Sequence, residues 1–198
     1  MESFANLKII PFKSQAAWKK WLDKNHSQPQ GIWLKIAKKA SGIPSVTYPE
    51  AVDEALCYGW IDATKQKYDE QYYLQMFCPR KPKSIWSKVN VEKIQLLTEN
   101  GRMQPAGLAA VTAAKADGRW EAAYDSHSTM TVPSDLQSAL DKNLKAKAFF
   151  DTLTKTNRYS ILWRLQTIKK PENRPAKIEA YIKMLEAEHV PHLFKPKG

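Results

Sequence analysis

The spacing of the apolar residues changes once along the chain, near residues 124–134, and this change limits the possible folds more than any other feature. Before it, two stretches, 31–36 and 71–78, place large apolar side chains at every second position. After it, apolar residues recur only at intervals of three and four. A period of two is typical of strands, and the longer spacing is typical of helices. The sequence therefore predicts an α+β protein with a small antiparallel sheet and helices over residues 1–125, followed by an all-helical region over residues 134–198.

Capping residues predict where the first elements begin. Ser14 precedes an apolar stripe and is a typical helix N-cap. Thr47, with Glu50 three residues later, has the spacing of a capping box. Residues 60–67 and 71–78, separated by an acidic turn, predict a β-hairpin. The N-terminal part is thus expected to combine helices with a hairpin.

The sequence predicts neither a membrane span nor export. The longest stretch without a charged side chain, 103–114, has 12 residues, whereas a spanning helix needs about 20. The first residues lack the basic and apolar regions of a secretory signal. Two cysteines, Cys57 and Cys78, fit a reducing compartment. A cytoplasmic location without membrane insertion is expected.

A net charge of +11 favours anionic ligands over cationic ones. The charge lies in two basic blocks on either side of 103–140, and residues 141–198 carry 13 basic and 6 acidic side chains. No recognised DNA- or RNA-binding motif accompanies this charge, so sequence-specific nucleic-acid binding is not expected. A weak nucleic-acid-binding module remains an alternative.

The sequence contains no motif of a familiar cofactor or metal site. The 7 glycines do not form a dinucleotide fingerprint or a phosphate-binding loop. There is no G-x-S-x-G nucleophile motif and no C-x-x-C. His189 and His192 are separated by Pro191, which interrupts the helix that would align them. No cofactor and no metal are predicted, and no catalytic residue can be assigned.

The strongest candidate site is the segment 60–90. From residue 71 to residue 91 there is no acidic side chain, while Arg80, Lys81, Lys83 and Lys88 supply four positive charges. The segment leads to a predicted helix start, capped by Ser84 or Ser87, where backbone N–H groups favour an anion. The predicted ligand-binding residues combine these cations with indole rings and small polar groups: Trp60, Asp62, Arg80, Lys83, Ser84, Trp86, Ser87 and Asn90.

The same residues also admit other interpretations. The tryptophans are equally typical of a core, the serines of helix caps, and Asp62 of an ion pair that pins Arg80 to the hairpin. An uncharacterised enzyme would instead use Asp62 as a general base and Arg80 as the partner of an oxyanion. That interpretation requires a concave pocket that holds both side chains.

Three stretches carry a family resemblance: GWID at 59–62, FCPRKPKSIWSKVN at 77–90 and NGRMQPAG at 100–107. With them, the sequence resembles the YdeI/OmpD-associated family of bacteriocin-protection proteins over nearly its whole length. The resemblance implies a bacterial stress-protection protein that counters bacteriocins or cationic antimicrobial peptides. It implies no particular reaction, and family members commonly have Thr where Cys78 stands. The leading hypothesis is a protein that binds a small anionic ligand or a protein partner through the 60–90 segment.

Overall fold

The computed structural model describes residues 2–189, which divide into two compact units. The first unit comprises the residues up to Trp86 together with Asn90–Ala123. The second comprises Ser87–Val89 and the residues from Tyr124 onward. Strands occur in the first unit, and the second is helical, so the predicted α+β class is confirmed.

A five-stranded sheet organises the first unit, with the strand order β1-β2-β3-β5-β4. Strand β2 pairs in parallel with β3, and the other pairs are antiparallel. The predicted hairpin is confirmed as β4–β5, whereas the first two strands were not predicted. The strands are β1 (Ser3–Phe4), β2 (Leu7–Pro11), β3 (Ile32–Ala37), β4 (Trp60–Lys67) and β5 (Tyr72–Pro79).

The hairpin contains an irregularity that a buried glutamine stabilises. The register of β4 against β5 shifts between Asp62 and Lys65. The side-chain amide of Gln75 donates hydrogen bonds to the carbonyls of Ala63 and Thr64, each at 3.3 Å. Gln75 therefore supplies donors to two carbonyl groups at the register shift, where regular strand pairing is interrupted.

Four helices accompany this sheet: α1 (Gln15–Asn25), α2 (Tyr48–Cys57), α3 (Lys88–Glu99) and α4 (Pro105–Ala116). The Ser14 hydroxyl accepts a hydrogen bond from the N–H of Ala17 at 3.3 Å, as its cap position predicts. Thr47 and Glu50 form the predicted capping box at the start of α2. The helices and one face of the sheet share an apolar core that includes Trp18, Leu34 and Leu56.

Close backbone packing explains one glycine of the NGRMQPAG stretch. Gly107 lies in α4, and a Cβ atom built at this position would come within 2.2 Å of the Cys57 carbonyl oxygen at the end of α2. The Gln104 N–H donates to the same carbonyl at 3.1 Å. Any larger residue at 107 would push the two helices apart.

The second unit, as far as residue 189, is built from helices α5 (Ser134–Asp141), α6 (Leu144–Thr152), α7 (Lys155–Gln166) and α8 (Arg174–Glu186). A 3-10 turn, Pro171–Asn173, leads into α8. Their apolar stripes meet in a separate core that includes Leu136, Phe150, Leu165 and Ile178. Among residues 2–189, no helix has the length and apolar character needed to cross a membrane.

The segment 124–134, where the spacing of the apolar residues changes, is irregular and partly buried. Met130 and Val132 pack against the core of the second unit. The Asp125 N–H donates to the side-chain oxygen of Gln166 at 3.0 Å, and the Gln166 amide donates back to the Asp125 carboxylate at 2.7 Å. These contacts attach the segment to the helical unit.

Candidate functional site

The two tryptophans of the candidate segment lie in the core of the first unit. Trp60 is fully buried, and its indole N–H donates to the carbonyl of His26 at 2.8 Å. Its ring meets that of Trp21 edge to face, with the centroids 5.7 Å apart. Trp86 is 1% exposed and packs edge to face on Trp120 at 5.1 Å. Within residues 2–189 the Trp86 indole nitrogen has no hydrogen-bond acceptor.

Arg80 covers the Trp86 ring rather than projecting away from it. The guanidinium carbon lies 3.6 Å from the ring centroid, a cation–π distance. One Arg80 nitrogen, Nη2, donates to the backbone carbonyl of Ile85 at 2.7 Å. The Arg80 backbone N–H donates to the carbonyl of Gly59 at 2.9 Å. Arg80 therefore ties the loop 80–86 to the base of the hairpin.

A second arginine, Arg119, also holds this loop. Arg119 Nη1 donates to the carbonyl of Ser84 at 2.9 Å. Its Nε donates to both carboxylate oxygens of Asp117 at 2.8 Å, and this hydrogen bonding lowers the pKa of Asp117. With Ile85 and Ser84 both held by guanidinium groups, the loop 80–86 has a defined backbone conformation. Lys81 and Lys83 are exposed on it.

Asp62 is engaged by the helix that packs on the sheet. The Tyr48 hydroxyl, in the first residue of α2, donates to an Asp62 carboxylate oxygen at 2.8 Å. Asp62 thus links β4 to the start of α2. The enzyme interpretation would need Asp62 and Arg80 to face one reacting group, but each side chain holds structural contacts of its own.

Ser87 and Asn90 flank the start of α3. Since α3 begins at Lys88, Ser87 precedes the helix, and its backbone pairs with Tyr124 in an isolated bridge of the second unit. Asn90 is half-buried in the first turn. Of the eight predicted residues, the structure brings Arg80 and Trp86 into contact, leaves Lys83 exposed and places both tryptophans in the core. Ser84 is held through its carbonyl by Arg119.

The first unit also contains a buried polar network that the sequence did not reveal. Glu54 is 4% exposed and accepts hydrogen bonds from Arg102 Nη2 at 2.7 Å and from the Gln15 amide at 2.8 Å. The one available signal was a carboxylate inside the apolar stripe of α2. Its partners, Gln15 and Arg102, lie 39 and 48 residues away. Their local sequence does not indicate that they bind Glu54.

Two neighbouring groups in this network are poor nucleophiles at neutral pH. Burial, with a further contribution from Glu54, raises the pKa of the Cys57 thiol to about 11. Burial and a hydrogen bond to Asp23 raise the pKa of Tyr58 as well. A thiol of raised pKa stays protonated and is inert. Cys57 therefore serves as a core residue.

The second unit has a surface depression of about 460 Å³ at the junction of α7 and α8. Its lining consists of Ile168, Lys169, Lys170, Asn173, Ala176 and Lys177. Three of these six residues are lysines. In residues 2–189 no group of three His, Cys, Asp or Glu side chains is arranged to hold a metal ion. His192 lies outside the described residues.

Two protein-family models match two different parts of the chain. The boundary between the matches falls near the position where the spacing of the apolar residues changes. Residues 10–110, just over half of the chain, match the model of a domain of unknown function, DUF8412. Residues 129–188 match the model described as bacteriocin-protection, YdeI or OmpD-associated. No curated protein and no solved structure matches the chain.

The bacteriocin-protection match falls on the helical unit, where it covers α5 to α8. The three stretches GWID, FCPRKPKSIWSKVN and NGRMQPAG instead lie within the match to DUF8412. The family expected from the sequence is confirmed, and its sequence pattern resides in the C-terminal helices. The candidate segment 60–90 belongs to the other match.

Proposed function

The chain belongs to the DUF8412 family and carries a bacteriocin-protection module, and from that premise we propose that it protects by binding an acidic protein partner through the loop 80–86. The main support is that Arg80, Arg119 and Trp86 hold this loop. Lys81 and Lys83 are exposed on it. A fixed loop presents its charges without an ordering cost on binding, because the backbone is already constrained.

Charge argues against direct capture of the toxic peptide. The family resemblance points to bacteriocins and cationic antimicrobial peptides, and the chain itself has a net charge of +11. Like charges repel at long range and slow association, whereas opposite charges accelerate it. Protection therefore proceeds through a negatively charged partner and not through the cationic peptide.

The position of the charged groups favours a protein partner over a small anion. A small anion binds well where several donors converge in a water-excluded site. Arg80 instead stacks on Trp86 and donates to Ile85, and the nearby lysines are exposed. The two exposed lysines of the loop interact weakly with a small monovalent anion, because water and salt screen them. An acidic protein surface adds many such contacts and excludes water around them.

Charge reversal at the loop tests this proposal. The double variant Lys81→Glu/Lys83→Glu should lose protection when it is expressed in a bacteriocin-sensitive strain. Its thermal midpoint should stay near that of the wild type, since both side chains are exposed. The matched control is Lys20→Glu/Lys24→Glu, which has the same net charge and changes exposed lysines of α1. The control should protect normally.

A binding measurement accompanies the survival assay. Purified protein is titrated with a poly-glutamate peptide and, separately, with duplex DNA of matched length. We expect the peptide to bind wild type more tightly than the loop variant, and DNA binding to be lost near about 0.15 M salt, because phosphate contacts are strongly salt-dependent. Equal losses in the loop variant and the control would show that only net charge matters. Sub-micromolar DNA affinity at that salt would favour the nucleic-acid alternative.

A further inference from the structure

The lysine-lined depression of the second unit is unlike the loop in its shape. Lys169 and Lys170 lie in the connection that follows α7, Asn173 lies in the 3-10 turn, and Lys177 lies one turn into α8, so the connection, the turn and the start of α8 share one concavity. Ile168 and Ala176 supply apolar parts of its wall. The Lys177 ammonium lies 5.0 Å from the Tyr181 ring centroid, which restricts the freedom of that side chain. Three exposed lysines therefore line a single concave surface.

The depression is cationic without internal compensation. Of the residues between 2 and 189 that line it, none is acidic. Glu172 is exposed on the 3-10 turn that precedes α8 and does not belong to the lining. Like charges that line one depression repel, and this repulsion falls when a multivalent anion binds among them. Asn173 adds an amide that can donate or accept a hydrogen bond.

We propose that this depression binds a compact oxyanion of the phosphate type that carries two or more negative charges, such as diphosphate. Lysine suits phosphate as a rotatable point charge, whereas planar carboxylate recognition more often uses arginine forks. The volume of about 460 Å³ accommodates an anion of this size and falls within the range of small-molecule sites. The surrounding sequence supports the assignment, since residues 141–198 hold 13 basic and 6 acidic side chains.

This site is independent of the proposed loop function. It lies in the helices that match the bacteriocin-protection model, whereas the loop 80–86 lies in the match to DUF8412. It takes a small oxyanion, whereas the loop takes an acidic protein surface. The two proposals therefore fail separately: one depends on Lys81 and Lys83, the other on the lysines of the depression.

Calorimetric titration of the full chain with inorganic diphosphate tests the site, at an ionic strength of about 0.01 M where screening extends over about 30 Å. The double variant Lys169→Gln/Lys170→Gln should bind diphosphate at least about tenfold more weakly, because two of three ion pairs are removed. Lys177→Gln alone should have a smaller effect in the same direction. Glu172→Gln should tighten binding, since it removes a nearby negative charge.

The matched control is Lys145→Gln/Lys155→Gln, two exposed lysines of the same unit that do not line the depression. It should bind diphosphate like wild type, and so should Lys81→Glu/Lys83→Glu. Equal weakening in the control and in Lys169→Gln/Lys170→Gln would overturn the proposal by showing that diphosphate responds to overall charge alone. No measurable binding by wild type would overturn it as well.

A second arm of the experiment identifies the source of the oxyanion. Sedimentation with vesicles of an anionic phospholipid, compared with vesicles of a neutral phospholipid, reports on headgroup binding. Selective loss of vesicle binding in Lys169→Gln/Lys170→Gln supports the site with a lipid headgroup as its ligand. Diphosphate binding without vesicle binding supports the site with a free phosphate compound as its ligand.

Discussion

The two units use the same kinds of side chain for different purposes. The first unit holds six of the seven tryptophans, and the indole groups of Trp18, Trp33 and Trp60 donate to backbone carbonyls. Its arginines likewise hold backbone carbonyls or a buried carboxylate. The second unit contains one tryptophan, and three of its lysines line a surface depression.

This difference shows that a residue's chemistry does not by itself reveal its use. Tryptophan, arginine and aspartate drew attention to the segment 60–90 because such residues are common at binding sites. In the first unit their large rings and fixed hydrogen-bond geometry serve the core and the loops. Lys169, Lys170 and Lys177 resemble the other surface lysines of the second unit in sequence. They differ in that they line one depression.

Truncation of a buried tryptophan should produce the largest effect of this comparison. Trp60→Ala removes a fully buried indole, and a change of this kind costs about 3–5 kcal/mol. The loss should appear as a lower midpoint in urea denaturation followed by near-UV circular dichroism, which is dominated by the first unit's tryptophans. A loss below about 1 kcal/mol would contradict a structural role for Trp60.

The buried network around Glu54 should produce the next largest effect. Arg102→Met keeps much of the side-chain volume but leaves the Glu54 carboxylate with one fewer charged donor. The free energy of unfolding should fall by about 2 kcal/mol, the range for hydrogen bonds to charged groups. Lys169→Met, the matched change in the second unit, should have an effect near zero. Equal effects in urea denaturation would remove the distinction between structural arginines and surface lysines.

The sequence predicted those parts of the fold that local rules govern. The caps at Ser14 and at Thr47 with Glu50 and the β4–β5 hairpin all depend on residues close together in the chain. Strand β2 was missed because its five residues, LKIIP, are too short to show clear alternation. Its parallel pairing with β3 spans α1, and no local pattern encodes such a pairing.

Prediction of the site was limited by the same long-range dependence. The charge and aromatic content of residues 77–90 drew attention to the segment but did not indicate which way each side chain points. Arg80 reaches Ile85, five residues on, but Arg119 reaches Ser84 from 35 residues away. The residues that line the lysine depression all lie within positions 168–177, but its concavity depends on how the connection after α7, the 3-10 turn and α8 fold, which the spacing of lysines does not indicate.

A double-mutant cycle between Arg80 and Trp86 should reveal a smaller, specific coupling. Arg80→Lys loses the planar stack on the indole ring and the hydrogen bond to Ile85, and should cost about 1 kcal/mol. Trp86→Phe keeps an aromatic ring and removes an indole N–H that has no acceptor within residues 2–189. Because the two residues share one contact, the double variant should cost less than the sum of the single variants. Strict additivity in thermal denaturation would mean that the stack contributes nothing.

The smallest expected effect is a loss of stability of the second unit at acid pH. Its direction follows from the pKa of Asp125. Hydrogen bonds from Lys88 and Gln166 lower the pKa of Asp125 in the folded protein. A carboxyl group whose pKa is lower in the folded than in the unfolded state stabilises the fold above its unfolded pKa of about 3.9. That contribution disappears as the pH falls through the folded pKa.

Asp125→Asn should therefore destabilise the protein at neutral pH by about 1 kcal/mol at most, since the Lys88 partner is largely exposed and the ion pair is screened. The difference between wild type and variant should shrink as the pH falls below about 4, because protonated Asp125 no longer pairs as an anion. Urea denaturation followed by far-UV circular dichroism measures this difference at each pH. If the gap between the two proteins stays constant down to about pH 2, the Asp125 carboxylate does not act through its charge, because protonation of the unfolded chain below about pH 4 would already have reduced the gap.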